Sequence, residues 1–181
     1  KYGRRDTSFL EKGTKYTLKR NMRNTDEICL SSLNVINADR SSIKLNGVNG
    51  IKPDIIFSED SFDVLVKLNS TIRSLKHNDY LRDENIVVLT MEAKKKLMIK
   101  KRISNEFKGT VESIRRFKGL ESDVVIIPDL KHDFMNDEDL RNILYVGMSR
   151  AKAHVILIVD IESLTRKQAS SFKKEIKEKL L

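Results

Sequence analysis

The sequence predicts an α/β fold in three layers, a largely parallel sheet with helices on both faces. Two observations carry this. Short apolar runs such as Ile86-Val87-Val88-Leu89, with further ones at 124–127 and 155–159, lack the polar alternation of a strand that is wet on one side, so they read as strands covered on both faces. Between them lie segments whose apolar residues recur at i, i+3 and i+4, the spacing of amphipathic helices. Strands and helices in alternation are the pattern of a parallel sheet.

Each element has its own signal. Residues 1–13 are polar and read as a flexible segment preceding a single domain over 14–181. Tyr16-Thr17-Leu18 reads as a short strand, followed by a helix starting near Asn24 or Thr25, either of which could cap it; Asp26 and Glu27 then favour the helix dipole. Residues 37–50, rich in Asn, Ser and Gly, form a loop with a short strand at 43–45. Residues 53–57 form a strand, and Ser61 opens a helix through Val64, Leu65, Leu68, Ile72 and Leu75. A basic helix spans 92–102, and strands are expected at 86–89, 111–114, 124–127 and 155–159. Leu140, Ile143, Leu144 and Val146 mark a helix that runs up to Arg150, with a strand beginning at His154. A terminal helix over 162–180 packs its Ile161, Leu164, Phe172 and Ile176 side and leaves its cations solvated.

The 181 residues suffice for one domain with a real core. Lys plus Arg number 35 against 26 Asp plus Glu, and the net charge of +9 favours a polyanionic partner unless it is simply a solvated lysine-rich surface. With no Trp and 6% aromatics, nucleic acid is a better fit than a membrane surface. The single cysteine, Cys29, excludes an internal disulfide and fits a reducing, cytoplasmic setting; its place on an apolar helix side makes it a core thiol. No run of about 20 apolar residues offers a membrane span, and no signal-peptide pattern opens the chain. The chain begins Lys1-Tyr2-Gly3-Arg4-Arg5 without an initiator methionine, which reads as processing or as a piece of a longer polypeptide.

Three polar clusters fall where strands end or helices begin, the usual ligand edge of a doubly wound sheet. They are Lys19-Arg20-Asn21-Met22-Arg23-Asn24, Arg115-Arg116-Phe117-Lys118-Gly119-Leu120-Glu121 and Ser149-Arg150-Ala151-Lys152. Each offers Arg or Lys beside groups that can address phosphate and sugar hydroxyls. Against them stands an absence: no G-x-x-x-x-G-K-[ST] run occurs, and the seven glycines form no dinucleotide fingerprint. Arginines suited to polyphosphate without a cradle loop suggest half of a composite nucleotide site. His77, His132 and His154 lack metal-ligand spacing and read as structural or solvated. Asp129, Asp133, Asp137 and Asp139 lack the regular positions of a calcium loop and read as a solvated connection.

In order and spacing these clusters resemble the second motor domain of UvrD/Rep-type superfamily 1 DNA helicases, over about Leu18 to Val159. Residues 18–28 resemble that family's fourth motif, residues 110–127 around Phe117-Lys118-Gly119-Leu120-Glu121 the fifth, and Leu144-Tyr145-Val146-Gly147-Met148-Ser149-Arg150-Ala151-Lys152 the sixth. The resemblance implies a RecA-like three-layer sandwich, a P-loop NTPase-like motor domain lacking its own P-loop. It implies that Arg150 is an arginine finger facing the γ-phosphate, Arg23 a second γ-phosphate contact, and Glu121 the ribose ligand, with Gly119 allowing close backbone approach. Lys118 would hold the motif-five loop, a DNA phosphate or the nucleotide. Met22 stands where an aromatic usually stacks on adenine, which implies weaker base stacking. Ser113, Arg115 and Arg116 would lie along DNA, Arg115 at a position that is usually histidine. Asn24 replaces the usual serine, a change that a helix cap tolerates. Glu121 and Ser113 keep the simpler alternatives of a helix N-terminal charge and of strand packing, and Arg150 that of a surface ion pair.

The resemblance further implies an ATP-dependent DNA helicase of which this chain is the C-terminal motor domain, inactive alone. Its partners would be single-stranded or partially duplex DNA and a first motor domain bringing the phosphate loop and the Mg²⁺ ligands. Ile28 and Thr110 lie about 80 residues apart, which the predicted elements already fill, so the large accessory insertion of some members is absent. The alternative is a non-catalytic nucleic-acid-binding or protein-interaction module derived from such a domain. Fusion to a nuclease is a third arrangement, on which these residues are silent.

Overall fold

The computed structural model describes residues 20–181; the expected segment 1–13 and the strand at 16–18 lie outside the described residues. The chain runs α1 (Asp26–Val35), β1 (Asp54–Ser58), α2 (Ser61–His77), β2 (Ile86–Thr90), α3 (Ala93–Arg102), β3 (Thr110–Ser113), β4 (Ser122–Lys131), α4 (Glu138–Met148), β5 (Ala151–Asp160) and α5 (Arg166–Leu180). The strands form one sheet in the order β1-β5-β4-β2-β3, with every pairing parallel. The expected strand at 43–45 reduces to a single bridge between Arg20 and Lys44.

The apolar runs split by parity between two cores, as a pleated strand requires. Val87, Leu89, Val125, Ile127, Val155 and Leu157 point to one face, where they meet Ile28 of α1, Leu144 and Met148 of α4, and Ile176 and Leu180 of α5. Ile86, Val88, Val124, Ile126, Ile156 and Ile158 point to the other, under Leu68 and Ile72 of α2 and Ile99 of α3. β2 is buried along its full length, in keeping with its unbroken apolar sequence. Gly147 lets α4 lie close on the first face: a Cβ there would stand 2.7 Å from Ile114 Cδ1 and 3.0 Å from Ile127 Cδ1.

Several boundaries differ from expectation, each for a local reason. β4 runs on to Lys131 past Pro128, where the pairing with β5 slips between Ile127 and Leu130; a residue without an N–H is tolerated at such a bulge. α5 begins at Arg166, not Glu162, because Thr165 and Gln168 form a reciprocal capping box. α4 ends at Met148 and β5 begins at Ala151, not His154, so the junction is two residues long. Asn24 does not cap α1. Thr25 occupies that position without a side-chain cap, and its hydroxyl has no partner.

Asp129 is not part of a solvated connection. It lies in β4 with its side chain 5% exposed, accepting hydrogen bonds from the amides of Met91 (2.9 Å) and Glu92 (3.4 Å), where β2 gives way to α3. It thus ties the carboxyl ends of β2 and β4 together, on the wall of a small hollow. Asp137 likewise caps α4 through the Leu140 amide. Among the three histidines, His154 pairs with Asp54 at 3.1 Å and His132 contacts Ser163 and Phe172. Among the described residues no group of His, Cys, Asp or Glu is placed to hold a metal ion, and no helix is long and apolar enough to cross a membrane.

Burial pushes the Asp129 carboxyl above its ordinary value, outweighing the two amide hydrogen bonds and the nearby Lys95. A carboxyl with a raised folded-state pKa binds its proton more tightly in the native state. Its contribution to stability is present below the unfolded value and declines as pH rises through the folded one. Asp129→Asn does not titrate, so its stability relative to the parent chain rises between about pH 4 and about pH 7. Urea unfolding at both pH values measures this, and an unchanged or inverted difference contradicts it.

Candidate functional site

The site is assembled where α1 begins, at the α4–β5 junction and at the start of β4. A turn built by Asn21 starts it. The Asn21 side-chain oxygen accepts from the amides of Arg23 (3.2 Å) and Asn24 (3.3 Å), while its amide donates to the Asn24 carbonyl (2.9 Å). Asn46 donates to the same carbonyl at 2.7 Å. This turn swings the Arg23 side chain outward and the Asn24 side chain inward, where Asn24 is 8% exposed.

Asn24 then reaches across the fold. Its Nδ2 donates to the carbonyls of Ser149 (3.2 Å) and Ala151, the two residues flanking Arg150. The Arg150 carbonyl accepts from the Ser122 amide at 3.0 Å, and the Lys152 carbonyl from the Thr25 amide at 3.2 Å. On the amide side, Arg150 donates to Gly147 and Ser149 to Tyr145. Every carbonyl from Ser149 to Lys152 is therefore bonded, and the Arg150 backbone is fixed by α1, β4 and α4 together.

The charged groups follow from that frame. Arg23 Nε meets Glu121 Oε2 at 3.1 Å, both side chains being about half exposed. Glu121 lies in the β3–β4 connection just before β4, not at a helix N-terminus. Arg150 is half-buried, and its Nε is a buried donor without a partner among the described residues. Burial first, and the Arg23 charge second, lower the Arg150 pKa; Tyr145 and Glu121 pull the other way. A guanidinium stays protonated through such a shift, so the result is a desolvated, under-satisfied cation. Lys152 is committed elsewhere, bonding Asp123 at 2.7 Å, which holds that carboxyl below its ordinary value.

Met22, Arg23, Glu121 and Arg150 line one open basin of about 960 Å³, together with Arg20 and Tyr145. Met22 is 75% exposed on its wall. Gly119 has φ +91°, a left-handed conformation that a side chain resists, and it turns the chain back toward β4. Its neighbour Lys118 is exposed, whereas Phe117 is anchored in the core.

The expected ligand edge needs correcting. The strands are parallel, Ser122 opens β4 and pairs with Ala151 at the opening of β5, so the basin sits at the amino edge of the sheet. Arg115 and Arg116, exposed, follow the carboxyl end of β3 on the opposite edge. Ser113 is there too but only 2% exposed, its carbonyl holding the amides of Arg116 and Phe117. The three clusters thus separate into a basin and a distant basic turn joined by the Lys118–Glu121 loop. Arg20, Asn21 and Tyr145 also belong to the basin; their positions beside Arg23 and before Ser149 in the motifs are the signal for them.

Comparisons with known proteins bear on the family and the fold. Residues 108–158, which carry the β3–β4 loop and the α4–β5 junction, match the UvrD-like helicase C-terminal domain family. Among solved structures, the C-terminal domain of a possible DNA helicase from Lactobacillus plantarum WCFS1 is similar with a TM-score of 0.57 at 18% identity, covering 77% of this chain and 88% of that one. That likeness bears out the fold class, and the family match bears out the resemblance read from the motifs. No curated protein sequence matches the chain.

Removing the Asn24 amide strands two inward carbonyls. Asn24→Ala is expected to destabilise the domain by at least about 2 kcal/mol, about 1–3 kcal/mol for each carbonyl, read by urea unfolding; a change near zero means that the two bonds contribute nothing net.

Proposed function

We propose that this UvrD-like helicase C-terminal domain works as the second half of an ATP-driven DNA motor. Its amino-edge basin closes on a nucleotide carried by another motor domain, and its basic β3–β4 turn contacts single-stranded DNA. The observation that carries the reading is Arg150, a partly desolvated guanidinium with an orphaned Nε, fixed on both sides by bonded backbone and aimed into a basin that it shares with Arg23 and Glu121.

The basin's own groups fit a nucleoside triphosphate. A guanidinium with no internal partner donates to a phosphate oxygen without first breaking a bond. Arg23 is neutralised by Glu121 at 3.1 Å across an exposed pair; on closure Arg23 turns to phosphate, and Glu121 is freed to accept from ribose hydroxyls. Gly119, at φ +91° with nothing within 4 Å of where a Cβ would stand, leaves its backbone open to close approach. Met22 offers an apolar surface in place of an aromatic plane, so the base is held by contact rather than by stacking. No ligand set for Mg²⁺ occurs among the described residues; its protein ligands would belong to the other motor domain.

Arg150 would act by charge. As the bond to the γ-phosphate breaks, negative charge spreads over its equatorial oxygens, and a rigid guanidinium supplied in trans stabilises it, an effect on the order of 10³ to 10⁵ in rate. Because the arginine and the cradle lie on different domains, hydrolysis requires closure. Each cycle thereby moves one domain relative to the other. Arg115, Arg116 and Lys118, exposed on the turn that leads into Glu121, would carry that motion to the DNA backbone.

The pure chain is expected to show no ATP turnover. In the full-length protein, Arg150→Ala is expected to lower DNA-stimulated hydrolysis by about 10³ or more while single-strand binding is kept. Steady-state ATPase assays with oligonucleotide titrations test both; near-normal turnover in the variant removes Arg150 from the finger role.

A further inference from the structure

The face covered by α2 and α3 takes no part in the basin. Both helices run back along the sheet against the strand direction, and a groove lies between them. It holds two hollows. One, of about 60 Å³, lies between Leu65 of α2 and Lys95, Met98 and Ile99 of α3, over Asp129 and Asp160 at the carboxyl ends of β4 and β5. The other, of about 170 Å³, lies between Ile72, Arg73, Lys76 and Phe107. Leu65 and Ile72 are seven residues apart on α2, which sets the hollows roughly 10 Å apart along its axis. That is the separation of side chains at i and i+7 on a docked helix.

Large apolar side chains stand exposed on both helices, Met98 among them on the wall of the first hollow. Phe62 is 74% exposed, Leu97 64%, Val66 49% and Met98 43%. Helical spacing puts Phe62, Val66, Asn69, Arg73 and Lys76 in one stripe along α2. The middle of the groove is held by Asn69, whose oxygen accepts from the Ser104 amide at 2.7 Å.

The hollows hold charges of both signs, Asp129 and Asp160 beside Lys95 and Lys131 in the first and Glu106 beside Arg73 and Lys76 in the second. Asp129 is buried and Asp160 is paired with Lys131, however, so the balance beside them is set by α3. α3 carries six Lys or Arg in ten residues and no acid. Lys94, Lys95 and Lys96 are engaged by Glu92 and Glu112, whereas Lys100, Lys101 and Arg102 are exposed and make no ion pair among the described residues. Phosphate backbone would satisfy these cations but offers nothing to Phe62, Leu97 and Met98. An acidic helix with an apolar stripe satisfies both.

We propose that the α2–α3 groove docks an acidic amphipathic helix of a partner protein. Its apolar side chains at i and i+7 fill the two hollows, and its carboxylates face Lys101 and Arg102. The site is independent of the amino-edge basin.

The test titrates the full chain against a labelled peptide of Glu, Ala and Leu, about 15 residues long, with leucines at i, i+3, i+7 and i+10. Saturable binding is expected, with the methyl signals of Ile72 and Ile99 moving in NMR spectra. Phe62→Glu and Met98→Glu, both exposed positions, should each weaken it about tenfold. Lys101→Glu with Arg102→Glu should do the same through charge alone, and a peptide with Lys in place of Glu should not bind. Absence of saturable binding, or binding indifferent to all these variants, overturns the proposal. So does movement of the same methyl signals by a single-stranded or duplex oligonucleotide, which would make the groove a nucleic-acid surface.

Discussion

The amide of Asn24 is the contact on which the basin depends. It satisfies the carbonyls of Ser149 and Ala151 from a residue that precedes α1, so three distant parts of the chain meet at Arg150. Backbone carbonyls at a helix-to-strand junction have no ladder partner, and leaving them bare inside the fold costs about 1–3 kcal/mol each. Asn is well chosen for this place. Its carboxamide spans two acceptors, and a serine hydroxyl has a single proton to donate. The substitution that looks like one helix cap for another is therefore a change in how α1 is tied to β5.

The basin lies at the edge opposite to the usual one. In doubly wound sheets the crevice at the carboxyl ends of the strands is the usual ligand position. Here Asp129 ties β2 and β4 together at that edge, spending its oxygens on the amides ahead of α3. While Arg115 and Arg116 stand at the carboxyl end of β3, the loops entering β4 and β5 bring Glu121 and Arg150 beside Arg23 at the amino edge. The β3–β4 connection reaches it without a helix, crossing the sheet face by burying Ile114 and Phe117 and turning at Gly119. One loop thus carries Arg115 and Arg116 at one edge and Glu121 at the other.

Much of this is legible in the sequence. Parallel strands buried on both faces leave unbroken apolar runs, and 86–89, 124–127 and 155–159 need no more than that to be placed. The grouping of Met22, Arg23, Glu121 and Arg150 is legible through motif spacing, because each motif keeps its order around the sheet. What is not legible depends on contacts remote in sequence. Asn24 has the local signature of a cap, and its partners lie 125 and 127 residues away. Asp129 stands in a run of acids that reads as solvated until β4 is seen to extend through it. The choice of sheet edge is hidden because periodicity identifies a strand without saying which of its ends a loop will reach. Ser113 is expected along DNA but is packed inward, since the side chain at the end of β3 follows the pleat and not the motif.

The two arginines of the basin are held in different electrostatic states, and the difference bears on how such a site could open and close. Arg23 and Glu121 form an exposed pair, of a kind worth about 0–1 kcal/mol, so exchanging that partner for a phosphate meets little resistance. Arg150 has no partner to exchange. Burial and the neighbouring Arg23 charge both disfavour its cationic form, and an anion placed in the basin relieves the two at once. On the proposed reading, a nucleotide arriving on another domain would therefore be drawn first by Arg150 and only then divide Arg23 from Glu121. The rigid cation supplies the attraction and the exposed pair supplies the reversibility, which a motor that must release its product at every step requires.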